Sequence, residues 1–76
     1  MAHFLLVYDR AAGSLLSQQR FETAAEAMIA RRETEGVYRS SSETEVVVLS
    51  AESEAALRET HARYFFDLRE LVARMG

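Results

Sequence analysis

His61 is the side chain best suited by type to general acid–base work, and Glu54, Arg58 and Arg63 stand near it in the chain. On one helix these groups would set an imidazole beside a carboxylate and two guanidinium groups, the ingredients of an oriented base or a metal ligand. The spacing argues against both chemistries. No HExxH pair or other ligand spacing surrounds His61, and His3, the second histidine, sits alone in the N-terminal apolar run. His61 therefore reads as a packed or partner-contacting residue, and the sequence implies no metal site and no cofactor.

Tyr8, Asp9 and Arg10 put a phenol, a carboxylate and a guanidinium in consecutive positions, where a ligand or a protein partner could meet both charges. Asp9 is also the residue type that a turn uses to cap its own backbone, so turn chemistry accounts for it without a ligand. Arg31, Arg32 and Arg39, with Tyr38 among them, form the local basic cluster. They are a candidate anion site, with the Tyr38 ring as a stacking surface for single-stranded nucleic acid. Glu33, Glu35 and Glu43 are interleaved with them and weaken the field. Cations at the end of a helix also favour its dipole with nothing bound. Three consecutive serines, Ser40 to Ser42, could accept phosphate, but serine loops are common.

No glycine-rich phosphate loop, nucleophile elbow, paired-carboxylate motif or dinucleotide fingerprint occurs. The expected class is a non-catalytic protein-binding or regulatory module. A net charge of −3 speaks against the basic footprint of a duplex nucleic-acid binder. With no cysteine, disulfide scaffolds and thiolate sites are absent as well. Only a few apolar residues precede Asp9 and Arg10, too short a run for a signal segment or a membrane span, so the reading is a cytoplasmic protein. All nine basic residues are arginine, for which coding bias is a sufficient cause.

Seventy-six residues with a hydrophobic fraction of 49% make one folded domain, residues 1–76, near the lower size limit for a core without metals or disulfides. Residues 3–8 are apolar on both alternating faces, as a covered strand requires. Residues 9–13 supply a hairpin turn, with Asp9 capping it and Gly13 free to take a positive φ. Residues 14–21 return as a polar edge strand. Thr23 and Glu26 have capping-box spacing, so a helix is expected over residues 23–35, with Ala24, Ala25, Met28 and Ile29 as its buried stripe and Gly36 as its stop. A polar loop over residues 37–44 leads to the β-branched strand at residues 45–49.

Ser50 or Ser53 would then cap a long helix over residues 53–75, laced by the pairs Glu54/Arg58, Glu59/Arg63 and Glu70/Arg74. The expected fold is α+β in the order ββαβα. It has a three-stranded antiparallel sheet of order 2-1-3, two helices on one face and a long C-terminal helix.

In a two-layer arrangement one face of that sheet stays open, although the first and third strands are apolar on both faces. The long helix would also extend about 35 Å, against roughly 17 to 20 Å for a strand. Its first half, around Leu57 to Tyr64, would complete the domain's own core against the sheet, while the second half, with Phe65, Leu68, Leu71, Val72 and Met75, needs cover from outside the domain. A symmetric homodimer is the simplest source, and those five residues with Tyr64 are the expected interface.

Residues 3–10 read HFLLVYDR, Gly13 to Leu16 follow, and residues 60–65 read THARYF. Over most of the chain this pattern resembles a group of short uncharacterised bacterial proteins that open in the same way. The resemblance implies no activity, cofactor or binding residue. It makes His3, Tyr8, Asp9, Arg10, His61, Arg63 and Tyr64 the first residues to substitute.

Overall fold

The computed structural model describes residues 1–65, apart from the side chain of Arg63. Its elements are β1 (Ala2–Asp9), β2 (Ser14–Phe21), α1 (Ala24–Val37), β3 (Thr44–Ala51), α2 (Glu54–Thr60) and a 3-10 turn (Ala62–Tyr64). The three strands form one antiparallel sheet in the order β2-β1-β3, the α+β arrangement expected from the sequence.

Each junction has a local cause. Gly13 adopts φ +68°, and its N–H donates to the Asp9 carbonyl at 2.8 Å. The Asp9 Oδ1 atom accepts from the amides of Ala11 and Ala12, which holds the β1–β2 turn. Thr23 caps α1: its Oγ1 accepts from the Glu26 amide at 3.2 Å and donates to the Glu26 carboxylate at 2.8 Å. Here the glutamate engages the threonine hydroxyl, where a capping box would use the backbone amide. Ser53 caps α2 by accepting from the Ala56 amide.

Directly opposed residues on antiparallel strands share a face, so the register sorts the sheet into two sides. One side carries Ala2, Phe4, Leu6 and Tyr8 of β1 with Val47, Leu49 and Ala51 of β3. These join Leu57 of α2 and Tyr64 of the 3-10 turn in one cluster, with Phe4, Leu6 and Leu57 at most 2% exposed. The other side carries Leu5 and Val7 with Val46 and Val48, and Gln19 and Phe21 of β2. There α1 lies over the sheet, bordering Gln19 and Phe21 along one flank and Thr44 and Val46 along the other.

The two helical segments thus cover opposite faces, where the sequence reading put both on one. Its open sheet face does not exist. Both sides of β1 are buried because both are covered, which is why Phe4, Leu5, Leu6 and Val7 are all apolar.

The buried stripe of α1 also differs from expectation. Ala27 is fully buried, Ala30, Arg31 and Thr34 are half-buried, and Met28 and Ile29 are 47% and 61% exposed. Small side chains bring the helix axis close to the valine-lined sheet, and Met28 and Ile29 would hold it away. Gly36 does not stop the helix, which continues to Val37 and ends at Tyr38. The only positive-φ residue among the described residues is Gly13.

The expected helix over residues 53–75 is broken within the described residues. α2 ends at Thr60, and His61 leaves helical geometry at φ −128° and ψ 49°. Thr60, His61 and Tyr64 are middling helix formers. Burial of Tyr64 beside Tyr8, on the order of 1.5 to 3 kcal/mol, outweighs a few tenths per residue of helix propensity.

Candidate functional site

Tyr8, Asp9 and Arg10 occupy one end of the sheet and are engaged by the fold. The Tyr8 ring meets Tyr64 edge to face, centroids 5.3 Å apart and planes at 88°. Asp9 holds the turn described above. The Arg10 amide donates to the Glu43 carbonyl at 2.8 Å, and its guanidinium donates to the Ser42 carbonyl at 2.5 Å. Arg10 therefore ties the β1–β2 turn to the segment that feeds β3.

His61 is half-buried at the C-cap of α2, where its backbone N–H donates to the Leu57 carbonyl at 2.9 Å. Its carbonyl accepts from the Tyr64 amide at 3.2 Å, so the backbone of His61 hinges α2 to the 3-10 turn. Its ring makes no hydrogen bond among the described residues. No group of three His, Asp or Glu side chains there is arranged to hold a metal. His3 pairs its Nδ1 with the Ser50 hydroxyl at 2.7 Å across β1 and β3.

Of the expected interface, Tyr64 is 7% exposed within the chain's own core. Phe65 is half-buried beneath the Arg58 guanidinium, 5.1 Å from its ring centroid. Leu68, Leu71, Val72 and Met75 lie outside the described residues, as does the Arg63 side chain.

At α2, the Arg58 guanidinium donates to Glu54 at 2.8 Å and holds its carboxyl below the ordinary value of 4.5, first by that hydrogen bond and second by its charge. The Gln18 side chain of β2 adds to the lowering.

A groove of about 530 Å³ runs beside the end of α1, lined by Arg31, Glu35, Gly36, Tyr38, Arg39, Thr44 and Val46. It unites Arg31, Tyr38 and Arg39 of the basic cluster, but Arg32 is not among its lining residues. Arg31 is already neutralised by Glu35, Nε to Oε1 at 2.6 Å. The groove also meets the carbonyl end of α1, where the helix dipole opposes an anion. On α1, Met28, Ile29 and Val37 are 47%, 61% and 76% exposed, although the sequence reading counted Met28 and Ile29 in the buried stripe and Val37 in the following loop.

No helix among the described residues is long and apolar enough to cross a membrane. No family model, curated protein or solved structure matches the chain.

Proposed function

We propose that the protein is a small non-catalytic homodimer that acts as a protein-binding or regulatory module. The supporting observation is surplus apolar surface: Met28, Ile29 and Val37 on α1 and Leu16 on β2 are all about half exposed or more. Exposed apolar residues scattered singly are ordinary, but the adjacent Met28 and Ile29 of α1, with Val37 and Leu16 exposed elsewhere beside a small core, favour association. The fully buried large side chains among the described residues are Phe4, Leu6, Leu57 and Val7, a modest core for a stable domain. Association with a second copy would supply further burial.

Self-association couples stability to concentration, because a partner that binds only the folded chain raises its unfolding midpoint by mass action. The expected result is a thermal midpoint that rises measurably over a hundredfold increase in protein concentration. A midpoint independent of concentration contradicts the reading.

A second reading rests only on the groove bringing Arg31, Tyr38 and Arg39 together, against the Glu35 pair and the helix dipole: binding of an anion or single-stranded nucleic acid by Arg31 and Arg39 with Tyr38 as stacking surface. Arg32 would add long-range charge only. Its signature is oligonucleotide binding that weakens with salt and is lost in Arg31→Glu with Arg39→Glu. Absence of binding at low salt removes it.

A further inference from the structure

We infer that β3 pairs with β3 of a second copy of this chain, antiparallel about a two-fold axis at Val47, so that two three-stranded sheets become one of six strands. The inference rests on the homodimer reading and places the contact at the β3 strand edge, not at the exposed apolar side chains of α1 and β2.

Among the described residues the order β2-β1-β3 leaves two edges, and they differ in the features that govern edge pairing. The β2 edge is polar, with Ser17, Gln18, Gln19 and Arg20 in sequence. It is also bulged: Val7 pairs with Ser17 and Tyr8 with Leu15, so Leu16 is the extra residue. The β3 edge has neither protection. Its eight residues pair with β1 in unbroken register from Ala51 to Thr44, and Val46, Val47, Val48 and Leu49 run through its middle. No lysine, proline or bulge interrupts it.

An antiparallel strand presents both N–H and C=O of alternate residues to each side. Every second residue of β3 therefore offers a donor and an acceptor away from β1. Pairing two such edges requires opposed residues to have sequence numbers summing to an even value, which keeps the two α1 helices on the same side of the joined sheet. A two-fold at Val47 sets Val47 opposite its own mate and Val46 opposite the second copy's residue at position 48. Thr44 then faces a serine, position 50 of the second copy. Glu43, Glu45 and Glu52 fall opposite positions 51, 49 and 42, which are Ala, Leu and Ser. No carboxylate meets another. A parallel in-register pairing would stack all three on themselves, so the charge pattern selects the antiparallel two-fold.

The chain contains no cysteine, so a single introduced thiol reports the pairing without interference. Opposed Cα atoms in such a ladder lie about 4.5 to 5.5 Å apart, within disulfide reach. Val47→Cys is expected to cross-link to a covalent dimer under mild oxidation, and Gln19→Cys on the β2 edge is expected not to. In the unsubstituted protein, the β3 amides that point away from β1 should exchange with solvent at least about tenfold more slowly in concentrated than in dilute solution. This second measurement decides the matter if Val47→Cys fails to fold. A dimer in which those amides exchange freely, or which cross-links through Gln19→Cys instead, overturns the β3 pairing and leaves the homodimer standing. A monomer at all concentrations overturns both.

Discussion

The Tyr8 ring stands edge-on to the Tyr64 ring, centroids 5.3 Å apart, and this contact joins the last residues of β1 to the turn that follows α2. Tyr64 is thereby a core residue of its own chain. Tyr64→Ala is expected to lower stability by about 3 kcal/mol, the cost of truncating a buried aromatic. Urea denaturation measures this; a loss below about 1 kcal/mol would place Tyr64 outside the core.

The same substitution should act in opposite directions at two glycines. Gly36 lies inside α1, and a Cβ built on it meets nothing within 4 Å. Gly36→Ala should stabilise by roughly 0.5 to 1 kcal/mol. Gly13 holds φ +68° in the β1–β2 turn, so Gly13→Ala should destabilise by about 1 to 2 kcal/mol. Thermal midpoints moving in the same direction would refute the pair of assignments.

These glycines also show what was legible from the sequence. Turn and cap chemistry is local, so Asp9, Gly13 and Thr23 announce their roles, the cap of α2 is narrowed to Ser50 or Ser53, of which the fold uses Ser53, and the β-branched run announces β3. Strand order followed from the handedness of the crossover. The face on which each helix packs was not local information. It depends on which side chains fit between α1 and the sheet, and Ala27, Ala30 and Thr34 fit where Met28 and Ile29 do not. Gly36 looked like a stop because of its type, yet nothing in its surroundings asks for a positive φ. The break at His61 was hidden because burial of Tyr64, a tertiary effect, ended a helix whose periodicity continued.

The candidate site fared unevenly for the same reason. Tyr8, Asp9 and Arg10 were singled out as possible partner contacts, and the fold engages all three. Arg31, Tyr38 and Arg39 do share a groove. The Glu35 partner of Arg31 was readable from its i, i+4 spacing, although in the less favourable order.

Arg10 fastens the β1–β2 turn to the backbone of Ser42, with its own amide on Glu43. Arg10→Ala should leave the sheet intact but speed amide exchange across residues 40–43, with a global cost of about 1 kcal/mol. Unchanged exchange there would show that the guanidinium contact does not order this segment.

Glu54 supplies a pH dependence of known sign. Its carboxyl is depressed below 4.5 in the fold, mainly by the hydrogen bond and charge of Arg58. A depressed carboxyl contributes stability that is present above the unfolded-state value and is lost as pH falls through the folded one. Urea midpoints should therefore fall more steeply on acidification below about pH 4.5 in the unsubstituted protein than in Glu54→Gln. Parallel pH profiles for the two proteins would contradict this assignment.

Sedimentation equilibrium over a dilution series tests self-association most directly, because it reads mass without a probe or a substitution. The expected result is a mass near twice 8.6 kDa at high micromolar concentration, falling toward 8.6 kDa on dilution. A mass of 8.6 kDa at every concentration would contradict the homodimer and the β3 pairing built on it.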